Sequence, residues 1–477
     1  MKKVINIRAL LFLVCTLGAS ATANSASLLE IYQQALQSDP QIHEAEARRL
    51  AALEAKPQAR SAYLPQISAS SDYTTSDRSG PVGIFDPDTG ERRTVDADIE
   101  TDVTSWGVTL RQSIFRWDHI VNLRQADKTV AKAEAVREAA QQDLIIRVAQ
   151  RYFDVLAAED RLTSIHADRT AIARQLEQAK QRFEVGLIAI TDVQESQAAY
   201  DNAVANEISA KRSLATAREF LREITGEYVS ELSAPTESFP LITPEPSDEA
   251  SWVDMALSQN LTLLASRIDE QLARDQIALV RTGHYPTLEL VANTSEDDTD
   301  QTTSTLFGTS SDSLTNPRDS ISLQLSVPIF AGGGTSSRVR EAVYLHRASR
   351  EQLQRVTRET ERQARDAYLG FVSERSRVKA LEQAVASSRT ALQATEAGFE
   401  VGTRTIVDVL NSQFTLYQAI TNYYQSRYDY VLNALRLKQA AGNLAVQDLE
   451  RIDQHLEQRK TPEQLFADEA KAGTTTE

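Results

Sequence analysis

Gly332-Gly333-Gly334 stands between an alternating segment and a long helical one. From that position a glycine loop can offer backbone N–H groups to a phosphate. The run lacks the spaced glycines and the Lys-Ser/Thr ending of such a loop, and the matching place earlier in the chain reads Arg116-Trp117-Asp118. A strand-to-helix turn accounts for both. His43-Glu44 has the first half of a zinc-binding helix without the second histidine, and the six histidines are scattered. No nucleophile elbow is present. The single cysteine, Cys15, follows Val14, where lipid attachment would want a small residue. Trp106, Trp117 and Trp252 are too few for an aromatic girdle, and Trp106 fits an interfacial anchor or a packed strand residue equally. The residue types therefore point to no covalent chemistry, no cofactor and no metal, and the function must lie in what the elements build.

Composition narrows that further. The 477 residues carry 51 basic and 67 acidic side chains, a net charge of −16, which offers nucleic acid no basic footprint. Apolar residues make up 41%, without the repeated runs of about 20 that a polytopic helical membrane protein needs. One cysteine excludes a disulfide scaffold. Length alone predicts roughly three ordinary domains. Residues 1–26 read as a secretory signal, with Lys2, Lys3 and Arg8 before the apolar run Ala9–Val14 and small residues marking cleavage near 23–26. Its removal takes three cations and no anion, leaving an exported, still more acidic chain without cysteine.

The chain repeats itself. Phe183-Glu184-Val185-Gly186 recurs as Phe399-Glu400-Val401-Gly402, and nine of the fifteen positions from 183 to 197 are identical at an offset of 216. Tyr152 with Tyr368 and Gly226 with Gly442 extend the match. Repeat 1 covers 27–226 and repeat 2 covers 250–442, with the proline-rich segment 227–249 as the link. Each half reads helix, strand, polar loop, strand, very long helix, turn, helix. Ile321, Leu323, Leu325, Val327 and Ile329 alternate with polar or small residues, as do Leu288, Leu290 and Ala292, and Trp106, Val108 and Leu110. Period two marks strands with one apolar face. The segments 79–100 and 294–318, rich in Asp, Ser, Thr and Gly, read as loops.

Between Pro87 and Pro235, and between Pro328 and Pro462, there is no proline. Asp118 to Val185 would form one helix on the order of 100 Å long, which predicts an elongated molecule whose chain reverses at Gly186 and Gly402. Leu410, Phe414, Tyr417, Thr421, Tyr424, Tyr428, Val431 and Leu435 keep a 4-3 spacing, a heptad seam or an ordinary core stripe. Four half-apolar strands cannot close a barrel, since the smallest membrane barrels have eight. Two chains would give eight strands and three would give twelve. A small sheet packed on helices of a soluble periplasmic coiled-coil scaffold or adapter is the alternative.

The segment Gln181-Arg182-Phe183-Glu184-Val185-Gly186-Leu187-Ile188-Ala189-Ile190-Thr191-Asp192-Val193-Gln194 and its partner Ala397–Leu410 resemble the TolC-type outer-membrane efflux ducts. Leu29–Pro40, Tyr63-Leu64-Pro65 and Pro328-Ile329-Phe330 also fit, so the likeness runs through most of the chain after the signal. The resemblance implies a mainly α fold with membrane β-strands. Three chains would form a homotrimer with a twelve-stranded β-barrel in outer-membrane lipid, continued by a long periplasmic α-helical barrel. The segment 443–477 would join an equatorial belt before a C-terminal tail. The duct would dock on an inner-membrane pump through a periplasmic adapter protein, in tripartite efflux and type I secretion. Drugs, bile salts or polypeptides would pass, and the duct itself would be no enzyme. The resemblance further assigns a gate to Thr191, Asp192 and Arg404, with Phe399 where the family carries tyrosine, so one hydroxyl bond is missing. It assigns the lumen constriction to Asp408, with Asn411 where a second acidic residue is expected. Adapter contact falls to Val185-Gly186-Leu187 and Val401-Gly402-Thr403.

Overall fold

The computed structural model describes residues 25–85, 90–229, 231–236, 239–241, 244–459, 461–462 and 464. The signal peptide inferred for 1–26 lies almost wholly outside them. The first half runs α1 (Leu28–Ser38), α2 (Pro40–Leu53), α3 (Ala55–Ser61), β1 (Gln66–Phe85), β2 (Arg92–Phe115), α4 (Trp117–Glu184) and α5 (Ile190–Thr225). A short β3 (Ser233–Pro235) follows. The second half runs α6 (Glu249–Gln259), α7 (Leu261–Arg281), β4 (Thr287–Thr305), β5 (Gly308–Ser326), α8 (Gly334–Glu400) and α9 (Ile406–Ala441). The chain then forms α10 (Val446–Asp453) and β6 (Leu456–Gln458), which pairs antiparallel with β3. No described helix is long and apolar enough to cross a membrane. The described residues divide into two compact units, one within 1–40, 141–252 and 364–477, the other within 41–140 and 253–363.

In the second unit the strands form one antiparallel sheet of order β1-β2-β4-β5. The strands are longer than the alternation predicts. The segments 79–100 and 294–318, read as loops, are largely ladder: Ser79 pairs with Asp98, Gly80 with Ala97, and Asp300 with Ser313. Turn-prone residues mark a turn only where no neighbouring strand offers hydrogen bonds; opposite a partner, solvated Ser, Thr and Asp side chains are compatible with the pleat. The second hairpin closes through Leu306-Phe307 alone.

Directly opposed residues share a face. Ile67, Leu110, Ala292 and Ile321 therefore form one apolar row across all four strands. The Leu290–Leu323 and Leu288–Leu325 pairs lie beside it. Ile321 is 80% exposed, and Ile67, Leu323 and Leu325 are exposed as well. Toward the hairpin ends the same face turns acidic, first at Asp319, then at Glu296 and Asp298, and further on where Asp102 stands opposite Asp300 and Glu100 opposite Asp77.

In the first unit the core gathers Leu28, Ile31 and Ala35 of α1, Leu144, Val148, Tyr152, Phe153 and Leu156 of α4, and Leu432 and Leu435 of α9. The α1 N-terminus is fixed by a capping box between Ser27 and Glu30. Phe153 stacks on Tyr428 at 5.5 Å between centroids. The Tyr152 hydroxyl donates to the Ser233 carbonyl at 2.6 Å, and the Tyr368 hydroxyl, its repeat equivalent, donates to that of Ser247. Both tyrosines thus tie the segment between the repeats to a long helix.

The heptad seam holds at Tyr428, Val431 and Leu435, which are buried. Toward the start of α9 it fails: Phe414 is 59% exposed, and Val409, Gln413 and Leu416 take the buried face. A helix of 3.6 residues per turn drifts about 20° per heptad against a strict 3.5 repeat. Over the distance from Val431 to Phe414 the drift moves the buried stripe to the adjacent positions. Gln413, turned inward, donates through Nε2 to the Asp168 carbonyl at 3.2 Å and its Oδ1 at 3.1 Å.

A buried carboxylate of α5, Glu207, joins it to α4, just as Glu159 of α4 meets Arg218 of α5 at 3.0 Å. Glu207 meets Arg169 at 2.8 Å, Lys211 at 2.9 Å and His166 Nδ1 at 3.2 Å. Burial pushes its pKa up, but the hydrogen bonds from Lys211 and His166 and the charge of Arg169 hold it below the ordinary value. A depressed acid contributes stability that is complete above its unfolded pKa and is lost as pH falls through the folded one. Glu207→Gln should therefore lower the unfolding midpoint at neutral pH, with the difference from the parent shrinking on acidification below about pH 4. Denaturant titration of both proteins at neutral and acid pH checks this.

Candidate functional site: the paired helix turns

The two hairpin turns have the same backbone. In the first, Gly186 N–H donates to the Phe183 carbonyl at 2.9 Å and Leu187 N–H to that of Arg182 at 2.8 Å. In the second, Gly402 N–H donates to the Phe399 carbonyl at 3.1 Å and Thr403 N–H to that of Gly398 at 2.8 Å. This is the Schellman pattern, with its residue in the left-handed region. Gly186 and Gly402 both have φ of 76°, which a Cβ would strain. Val185 and Val401 are exposed, and Leu187 is 73% exposed, so each turn presents apolar side chains beside open backbone. Behind the first turn Leu176, Ala179 and Val193 pack with Ile188 and Tyr200, fixing α5 against α4.

The helices that leave the turns start differently. Thr405 caps α9: its N–H and hydroxyl reach Asp408 Oδ2 at 2.9 and 3.0 Å, and Asp408 N–H reaches back to the hydroxyl at 3.3 Å. These bonds, the backbone one first, hold the Asp408 carboxyl below the usual carboxylate range, with Arg404 adding to the effect. Asp408 is thus a capping residue as well as the candidate for the constriction. Asn411, one turn on, is exposed, and its carbonyl accepts from Thr415 Oγ1 at 2.8 Å. The α5 N-cap is Ala189, which has no side chain for a box. Asp192 occupies the position of Asp408 without that duty, next to exposed Thr191.

Arg404 lies against a glycine. A Cβ on Gly398 would come within 2.8 Å of Arg404 Cγ and 3.3 Å of Thr403 Oγ1. The Gly398 carbonyl also accepts from Arg404 N–H at 3.2 Å. Because the clash falls near the root of the arginine, Gly398→Ala should redirect the whole Arg404 side chain. The expected result is an Arg404 guanidinium displaced from its parental position in a crystal structure of the variant, with parental helix content by circular dichroism.

Among the described residues no hydrogen bond or ion pair joins Asp192 to Arg404, so the structure does not bring the two together within the chain. It does bring Phe399 to a residue that the sequence reading leaves aside: the Arg182 guanidinium lies 5.1 Å from the ring centre. The signal was in the repeat. The offset of 216 pairs Arg182 with Gly398 and Ile188 with Arg404, so the arginines and the glycine are places where the two halves depart from each other.

The chain matches the family described as "OEP: Outer membrane efflux protein" over residues 31–227 and 252–443. The chain belongs to the outer membrane efflux protein family. The family match falls in two blocks, as the tandem duplication predicts. Among relatives of this outer membrane efflux protein, the outer membrane protein TolC of Vibrio cholerae is 39% identical over 446 residues, spanning 92% of this chain and 96% of that one. The alkaline protease secretion protein AprF of Pseudomonas aeruginosa is 29% identical, spanning 92% and 89%. The Campylobacter jejuni CmeC outer membrane channel has the same fold, with a TM-score of 0.69 at 15% identity over 95% of this chain and 98% of that one. This outer membrane efflux protein is an outer-membrane exit duct for efflux and type I secretion, and its relatives are channel proteins rather than enzymes. The soluble periplasmic scaffold does not stand. Counting domains by length does not either: what the family finds is one unit twice.

Proposed function

We propose that three copies of this chain assemble into the duct, each supplying β1, β2, β4 and β5 to a twelve-stranded barrel that sits in outer-membrane lipid. The observation that carries the proposal is the row Ile67–Leu110–Ala292–Ile321, apolar across the whole sheet and exposed at both ends. In water that row would be costly, and in hydrocarbon it is at home. Within the described residues β1 and β5 are edge strands, and a sheet edge in lipid must be paired because no water is there to satisfy it. Pairing β5 of one copy with β1 of the next closes the ring. The long helices α4 and α8 with their partners α5 and α9 form the periplasmic helical barrel.

The tip is the gate. Thr191 and Asp192 of α5 and Arg404 before α9 form the polar link, made between neighbouring copies. Asp408 lines the constriction as a threefold acidic ring, and Asn411 in place of a second carboxylate weakens its selectivity for cations. Val185-Gly186-Leu187 and Val401-Gly402-Thr403 contact a periplasmic adapter, which brings an inner-membrane pump; the exposed apolar side chains beside the two left-handed glycines support this. Drugs, bile salts or polypeptides leave through the lumen. Membrane fractionation with unheated and boiled SDS gels tests the assembly. A detergent-dependent, heat-labile trimer is expected, and extraction without detergent as a monomer would defeat the reading.

A further inference from the structure

We propose that Arg182 is a gating residue: its guanidinium clasps the Phe399 ring and so ties the end of α4 to the end of α8 where the hydroxyl link is lacking. This rests on the reading of the tip as a gate. A cation over an aromatic face within about 6 Å is attracted by the ring quadrupole, and the observed 5.1 Å satisfies that reach. Phenylalanine offers no hydroxyl, so its face is the only handle for a polar partner.

Both members are held from behind. The Arg182 carbonyl accepts from Leu187 N–H and the Phe399 carbonyl from Gly402 N–H, so each backbone is a fixed part of its turn. Arg182 also lies in the last turn of α4, where a cation is favoured by the unsatisfied carbonyls of the helix end. The repeat makes the clasp singular. The residue equivalent to Phe399 is Phe183, but the position equivalent to Arg182 is Gly398, which carries no cation. Gly398 instead provides the space for Arg404. One substitution pattern thus gives each half its own arginine, with Arg182 acting inside the chain and Arg404 toward a neighbour. A tip that opens by moving the α8–α9 hairpin away from the α4–α5 hairpin must release the clasp.

The test is single-channel recording of the purified full-length protein in planar bilayers. Arg182→Gln and Phe399→Leu should each shift the balance toward the open tip by about 2- to 5-fold per clasp, the range expected of an exposed cation–π pair. The double variant should add nothing to either single one, because each already removes the same contact. Phe399→Tyr keeps the ring, and should remain closed in the Arg182 parent and open in Arg182→Gln less than Phe399→Leu does. Additive effects, or parental conductance in Arg182→Gln, overturn the clasp. Arg404→Ser runs alongside: if it opens the channel while Arg182→Gln does not, the clasp is wrong and the gate stands. If neither variant changes conductance, the gate reading itself falls. Retention of the heat-labile oligomer on unheated gels confirms that the variants compared are assembled.

Discussion

Arg404→Ser should raise single-channel conductance in planar bilayers by a factor on the order of ten. Hydrogen bonds to charged groups contribute about 1.5–3 kcal/mol each, and 1.4 kcal/mol is tenfold in an equilibrium. Three features of the turn direct the arginine to that use. Its stem is set against Gly398, where no side chain competes for the space. Its guanidinium has no ion pair inside the chain among the described residues, so its five donors remain for a partner outside. The carboxylate proposed as that partner, Asp192, is likewise uncommitted, because Ala189 cannot form the capping box that occupies Asp408. Arginine rather than lysine suits the position, since a planar fork can meet a carboxylate with two bonds at once. Arg404→Lys should therefore open the tip part-way. Parental conductance in Arg404→Ser would make Arg404 an exposed charge and nothing more.

The largest effect on stability is expected from Arg459→Ala. Asp160 of α4 is buried and accepts from the Tyr428 hydroxyl of α9 and from Arg459, which follows β6. Burial raises the Asp160 pKa, opposed by Arg459 and by the Tyr428 hydrogen bond. Removing the arginine leaves a buried carboxylate with only the charge of Arg427 near it, a change that costs up to about 3–5 kcal/mol. The pH dependence gives the mechanism away. An acid whose folded pKa lies above its unfolded value makes the fold gain stability as pH falls through that window. The Arg459→Ala deficit should accordingly be greatest at neutral pH and smaller in mild acid, where Asp160 takes up a proton. Asp160→Asn placed on top of Arg459→Ala should recover part of the loss. Thermal unfolding at two pH values checks both statements, and a deficit independent of pH would assign the effect to lost packing of the arginine stem.

Much of this was legible in the residues. The recurrence of Phe-Glu-Val-Gly marks both turns, and both glycines have the same left-handed φ. The proline-free stretch from 118 predicts a 68-residue helix, and α4 has that length one residue earlier. Strand extent was hidden because residues 79–85, 92–100, 294–305 and 308–318 satisfy their backbones against partners that local composition does not disclose. The pairing of β2 with β4 joins the two repeats, and no spacing rule within one repeat reports on it. The seam in α9 was lost by slow helical drift, which a string of 4-3 intervals ignores. At the turns, similarity between halves located the site, but Arg182 and Gly398 work through their difference. A cation–π contact between residues more than 200 positions apart leaves no local pattern.

The change of character along the sheet has a mechanical meaning. On the face that carries Leu110 and Ala292, carboxylates begin at Asp319, two residues from Ile321, and Glu296, four residues from Ala292. In the proposed barrel this face is a draught mark. At about 3.3 Å per residue, settling two residues deeper would pull the first carboxylates of three chains into the acyl region. Riding two residues higher would strip lipid from the Leu288–Leu325 pairs. Charged groups on a barrel's lipid face cost more the nearer they lie to the midplane, so the restoring force steepens with displacement. In that proposed barrel the carboxylates, rather than the apolar row alone, set the depth at which the strands sit in lipid.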